Sequence, residues 1–167
     1  MTQTQARSRT FTWSDPTATA GALGQRPGLD VLTAIARGEL PRPPVMDMLG
    51  MGALADVSPG TVTFLLEPRE YHYNPLGTVH GGVIATILDS ATGCAVHSTL
   101  PAGVGYTSVD LTTKYLRPVT VASGQLSCVG TVLSRGRRTA LAEARLTDPA
   151  GRLVAYANST CLLFDIP

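Results

Sequence analysis

The chain has 167 residues, of which 44% are hydrophobic and 15% charged, and its net charge is +1. That length fits one domain with a tail rather than two domains. The near-neutral balance removes any bulk attraction to nucleic acid or an anionic membrane, and the low charged fraction suits a chain that buries further surface by oligomerising.

Residues 1–44 read as an N-terminal arm. They are polar and loose to about residue 27. A short amphipathic helix follows over 29–37, with Leu29, Leu32, Ile35 and Ala36 at helical spacing and Gly38 as its stop. Residues 41–44 (PRPP) form a rigid linker. The folded domain then occupies 45–167. Residues 45–52 suggest one helical turn whose methionines serve as adaptable packing. A hairpin follows, 53–58 and 61–67 across Pro59-Gly60, with Val62, Phe64 and Leu66 alternating against Thr61, Thr63 and Leu65. A long apolar helix comes next and ends at Pro101-Ala102-Gly103. From there the period changes from 3.6 to 2. One strand is expected over 105–116, and three more over 125–133, 139–147 and 152–164, joined by turns at 134–137 and 148–151. Connections this short make the strands antiparallel. One apolar helix and one half-apolar sheet bury each other, which is an α+β arrangement. No internal repeat or low-complexity segment is visible.

The N-terminus lacks the apolar segment of a signal peptide or membrane span. Cys94, Cys128 and Cys161 are far apart, without metal spacing, and an odd count fits a reducing cytoplasm. No P-loop, dinucleotide fingerprint, Gly-x-Ser-x-Gly elbow or zinc spacing is present.

Chemistry concentrates in residues 73–100, YNPLGTVHGGVIATILDSATGCAVHSTL. A loop with Asn74, Pro75 and Gly77 runs into His80-Gly81-Gly82. The helix that follows, roughly 18 residues or about 27 Å, is apolar at Val83, Ile84, Ile87, Leu88, Ala91 and Ala95. It holds one charge, Asp89, and a carboxylate on an apolar helix is costly unless paired or used. Nine residues separate His80 from Asp89, which is about 900° of helical rotation and about 13 Å of rise. The two side chains therefore point to opposite sides of one straight helix. They share a site only if a second copy brings its Asp89 to this copy's His80, so the spacing predicts sites at a dimer interface.

The pattern N-P-x-G-x-x-H-G-G, followed by an apolar helix with Asp nine residues after the His, resembles the hotdog-fold thioesterases. The likeness is to the PaaI-like (phenylacetate-degradation type) acyl-CoA thioesterases and spans about residues 45–164. It implies a hotdog fold, a curved antiparallel sheet wrapped around one long central helix. It also implies hydrolysis of an acyl-CoA, aromatic or short to medium in chain length, to free acid and CoA. No cofactor is implied, because CoA is part of the substrate. By resemblance Asp89 is the general base or nucleophile, and the backbone N–H of Gly81 at the helix N-terminus stabilises the oxyanion. His80 sits by the thioester, Asn74 orients water or holds the partner's carboxylate, and Ser108 helps hold the nucleophilic water. Asn74, His80 and Gly81 would come from one chain of a homodimer and Asp89 and Ser108 from the other, with two dimers pairing into a homotetramer.

Arg117, Arg135, Arg137 and Arg138 lie at strand ends and a turn. Their forked donors match phosphate geometry, so they are candidate contacts for the CoA nucleotide. Two other classes stay open. One is a hotdog acyl-thioester hydratase or dehydratase, against which the N-P-x-G-x-x-H-G-G pattern counts. The other is a non-catalytic acyl-CoA-binding module, for which residues 1–44 offer no second helix of a DNA-binding pair.

Overall fold

Apolar residues alternate along β2 (Thr61–Leu66), so Val62, Phe64 and Leu66 face one side and the threonines the other. The same alternation runs through β5 (Leu126–Arg135), β6 (Thr139–Thr147) and β7 (Leu153–Asp165). One face of the sheet is therefore apolar throughout. In the computed structural model, which describes residues 5–166, that face curls around helix α4 (Gly81–His97). The strand order is β1 (Met51–Ser58), β2, β5, β6, β7, β3 (Val104–Ser108), with β4 (Thr112–Tyr115) also on β7, and every pairing is antiparallel. This is the α+β hotdog arrangement expected from the sequence.

The helix sits close to the sheet because the residues beneath it are small. Ile84, Ile87, Leu88, Ala91 and Ala95 of α4 are buried, and Ala142, Ala144, Ala155 and Ala157 of the sheet are buried with them. At Gly130 of β5 the approach is backbone to backbone: a Cβ there would stand 2.0 Å from the carbonyl oxygen of Ala91. Any larger residue at 130 must push α4 off the sheet.

Two expectations are corrected. The single strand expected over 105–116 is interrupted. Ser108 stands opposite Cys161 and Thr112 opposite Asn158, so four steps on one strand meet three on β7. The extra residue makes a bulge. Asp110 closes the gap, its Oδ1 accepting from Thr160 N at 2.8 Å and its carbonyl accepting from Ser159 Oγ at 2.7 Å. Five strands therefore follow α4, not four.

The arm carries more helix than expected: residues 5–15 are exposed and without regular structure, but helices flank the expected one. Helix α1 (Thr17–Gln25) precedes the expected short helix, α2 (Gly28–Ala36), and α3 (Pro44–Leu49) follows it. The Arg9 guanidinium donates to the carbonyls of Asp47 and Met48 and lies 4.1 Å from the Tyr71 ring centroid, which holds the extended segment down. Val31, Leu32 and Ile35 of α2 belong to the same buried cluster as Ile87 and Leu88 of α4. Residues on both sides of position 44 thus share one core.

Replacing Gly130 with Ala should cost about 1–3 kcal/mol of stability through overpacking. Urea unfolding of the two proteins checks it, and an unchanged midpoint would mean that the helix can shift freely over β5.

Candidate active site

The loop before α4 is built by Asn74. Its Oδ1 accepts from the backbone N–H of Leu76 at 2.9 Å and of Thr78 at 3.3 Å, and its Nδ2 donates to Thr78 Oγ1 at 3.1 Å. Gly77, at φ +76°, completes the turn. A bridge between Tyr73 and Val79 closes it. Beneath the loop His72 is buried. Its Nδ1 accepts from Arg69 N, its Nε2 donates to Leu49 O, and its carbonyl accepts from His80 N at 2.8 Å.

His80 caps α4. Its Nδ1 accepts from Gly82 N at 2.9 Å. In the neutral ring that leaves a hydrogen on Nε2, and the side chain is exposed. The N–H of Gly81 has no acceptor among the described residues. It points out of the helix N-terminus, where the dipole favours negative charge. Gly81 lines a shallow pocket with Thr78, Ile84, Tyr115 and Arg117. Tyr115 packs against Gly81 and donates its hydroxyl to the Gly81 carbonyl at 3.1 Å.

Asp89 lies elsewhere. Its Oδ1 accepts a hydrogen bond of 2.8 Å from Ser108 Oγ, and among the described residues its Oδ2 has no partner. On one side of this pair is an open groove lined by Ala85, Thr86, Val109 and Leu111. On the other is a more enclosed apolar cavity of about 200 Å³. Ser90, Gly93 and Cys94 continue the Asp89 stripe of α4 into that cavity, and Leu54, Phe64 and Tyr106 of the sheet face them. Leu32 and Ile35 of α2 and Pro43, Val45 and Met46 at α3 form the remaining wall. Gly93 leaves room for Tyr106, since a Cβ at 93 would stand 2.7 Å from its ring. Burial pushes the Cys94 thiol up to about 12, the nearby Tyr106 hydroxyl opposes that shift, and the Asp89 charge adds to it. Cys94 is therefore a neutral thiol and a poor nucleophile.

Within one chain, then, the site residues fall into two groups. Asn74, His80 and Gly81 gather at the N-terminus of α4, and Asp89 and Ser108 gather at its middle; among the described residues, none of the three pockets at these positions holds members of both. The four arginines also separate. Arg117 N donates to Val154 O and the Arg138 carbonyl accepts from Leu163 N, at opposite ends of β7. Those ends are about 30 Å apart at ~3.3 Å per residue. Arg135, Arg137 and Arg138 stand at the β5–β6 turn, far from Arg117. Tyr115 and the α2–α3 wall are absent from the sequence-based site. Tyr115 sits in an alternating strand like any packing residue, and the wall is set by contacts distant in sequence.

A model of the thioesterase superfamily matches residues 76–155, from the loop before α4 into β7. Human acyl-coenzyme A thioesterase 13 is 32% identical over 114 residues, covering 68% of this chain and 80% of that protein. The chain belongs to the thioesterase superfamily. Among solved structures of similar fold is a putative thioesterase of Ralstonia eutropha, described as phenylacetic acid degradation-related. It is 30% identical with a TM-score of 0.71, covering 78% of this chain and 98% of that one. The Escherichia coli PaaI protein from the phenylacetic acid degradation operon shares the fold of this thioesterase-superfamily chain, with a TM-score of 0.71 at 18% identity over 81% of this chain and 96% of that one.

Two buried histidines give the fold a pH dependence. Desolvation lowers the pKa of His72 from 6.5, against its bond to Leu49, and desolvation also lowers that of His97, whose ring nitrogens have no partners among the described residues. Below about pH 6.5 the unfolded chain binds protons that the folded chain excludes. The stabilisation is complete above that value and is lost as pH falls toward the depressed folded values. The melting temperature should therefore drop between pH 7.5 and 5.5, and His97→Phe should make the decline shallower. A pH-independent melting temperature would contradict the burial of neutral imidazoles.

Proposed function

We propose that this protein is an acyl-CoA thioesterase working as a homodimer, with Asp89 of one chain facing His80 and Gly81 of the other. The observation that carries the reading is the Asp89–Ser108 pair, a carboxylate with one oxygen held and the other free, set between an apolar cavity and an open groove. The likeness to acyl-coenzyme A thioesterase 13 supports the substrate class. The separation of the two residue groups within one chain supports the shared site.

In this reading the thioester carbonyl oxygen accepts from Gly81 N–H, and the helix N-terminus stabilises the charge that grows there. His80 presents its Nε2–H beside the thioester. Asn74 is a positioning residue that shapes the loop carrying His80. Asp89 takes a proton from a water that Ser108 helps to hold, and the water oxygen adds to the carbonyl carbon. The carbon–sulfur bond of the tetrahedral intermediate then breaks. The proton on Asp89 passes to the leaving thiolate, giving free acid and CoA. No cofactor enters these steps. Arg117, Arg135, Arg137 and Arg138 are the candidate contacts for the CoA phosphates; Arg117 lies beside the Gly81 pocket with its guanidinium on the Leu153 carbonyl, and the other three meet a phosphate only if a partner copy brings them there. Exposed Leu133, Leu141, Leu162 and Phe164 on β5–β7 support pairing of dimers into a homotetramer.

Thiol release from a panel of acyl-CoA esters tests the mechanism. Asp89→Asn should lose at least about 10²-fold in kcat. Ser108→Ala, which removes one hydrogen bond and not the base, should lose about tenfold. Equal activity of Asp89→Asn and wild type would remove Asp89 from the chemistry. A single turnover in ¹⁸O-water that leaves label in Asp89 identifies it as the nucleophile, its anhydride hydrolysed at the Asp89 carboxyl carbon, whereas a general base leaves all the label in the product acid. Mixing two inactive variants, His80→Ala and Asp89→Asn, should restore about a quarter of the wild-type rate, the share of intact sites in randomly exchanged dimers. No recovery after proven subunit exchange would place both residues in one chain's site.

A further inference from the structure

His97 is the last residue of α4, and it is buried with neither ring nitrogen bonded among the described residues. Buried polar groups without a partner are rare, because the bonds they gave up to water go unreplaced. No step of the thioester chemistry uses this ring. It borders a cavity of about 260 Å³ on the other side of Tyr106 from the one beside Asp89. Ala20 and Leu23 of α1, Tyr106 of β3, and Phe164 and Ile166 at the end of β7 stand around it. Among the described residues Tyr106 alone lines both cavities.

We propose that this cavity is a second ligand site, which takes a small uncharged phenol or alcohol whose hydroxyl bonds His97 and whose apolar body lies under α1. The proposal does not depend on the thioesterase reading. Four observations carry it. The first is the imidazole. Burial keeps it neutral at neutral pH, so it offers one N–H and one bare nitrogen, and a hydroxyl can satisfy either. Nδ1 lies against the start of α2, since a Cβ on Gly28 would stand 2.9 Å from it, which leaves Nε2 for the ligand. The second is the lining. No charged residue is part of it among the described residues, and the Tyr106 hydroxyl is turned away to Gly93 and Cys94. A carboxylate or ammonium there would lose its water and gain no ion partner. The third is size. An apolar cavity of roughly 150 Å³ admits benzene, so one of about 260 Å³ takes a ring with a hydroxyl and a short substituent. The fourth is the roof. Helix α1 has no fully buried residue of its own, yet Ala20 and Leu23 lie over the cavity. A ligand beneath them gives α1 the apolar contact that it lacks.

The probes are p-cresol, toluene and 4-hydroxybenzoate, titrated into the full chain and followed by the His97 ring resonances and by hydrogen exchange of the α1 amides. Two variants accompany wild type. His97→Phe keeps a ring of similar size without the nitrogens. Ala20→Trp fills the cavity from an exposed position on α1, so it leaves the core and the Asp89 cavity alone. In wild type, p-cresol should bind about tenfold tighter than toluene, the scale of one hydrogen bond to an otherwise unpartnered group, and 4-hydroxybenzoate should bind weakest. Occupancy by p-cresol should move the Nε2 resonance of His97 and slow exchange in α1. His97→Phe should erase the advantage of p-cresol over toluene, and Ala20→Trp should abolish binding of both at this site. A p-cresol affinity that neither substitution changes in folded protein places the probe elsewhere and overturns the proposal. So does a His97 resonance that saturating p-cresol leaves unmoved, an observation that needs no variant to fold. Binding of 4-hydroxybenzoate as tight as that of p-cresol overturns the uncharged class.

Discussion

The contact between Gly130 and the Ala91 carbonyl places the backbone of α4 against the backbone of the sheet. With no side chain between them, the strands must bend around the helix to reach its flanks, where Ile84, Ile87 and Leu88 supply volume. Small residues at the centre and large ones at the sides convert a flat apolar face into a curled one. The hydrogen-bonded ladder β2–β5–β6–β7 follows that curve, with β1 at one edge and β3 and β4 beside β7 at the other.

The position of the carboxylate follows from this geometry. A helix covered by a sheet on one side has its other side free, and Asp89 is on the free side. Its hydrogen-bond partner, Ser108, is at the end of β3, just before the bulge that Asp110 completes. A regular strand over 105–116 would keep the ladder unbroken through Asp110. The bulge ends β3 at Ser108 and lets the chain turn past the groove, a common use of such irregularities beside active sites.

The N-terminal segment completes the same surface. Val31, Leu32 and Ile35 pack on β1 and α4 as core residues, and Arg9 holds the preceding chain over α3 and Tyr71. This segment lies outside residues 76–155, which match the superfamily model, yet it walls the cavity next to Asp89. The cavity is therefore shaped jointly by the matched stretch, through Asp89, Gly93 and Tyr106, and by the segment that precedes it.

Much of the fold is legible in the residues alone, because it depends on periodicity. The hairpin over Pro59-Gly60, the extent of α4 and the β5–β6–β7 meander are all local patterns, and each appears in the structure within a few residues of its expected bounds. The separation of His80 from Asp89 is equally local, since one residue caps α4 and the other stands in its middle. Tertiary structure decided what depends on contacts between distant residues. The broken strand at Val109–Leu111 is set by Asp110 reaching Ser159 and Thr160. The order of the arm is set by apolar residues finding the open face of α4, and a polar sequence with scattered glycines conceals that docking. The division of the arginines between two ends of β7, and the cavity walled by residues from 32 to 108, have no signature along the chain. Local sequence encodes which face of an element is apolar, and only the packed chain determines what that face meets.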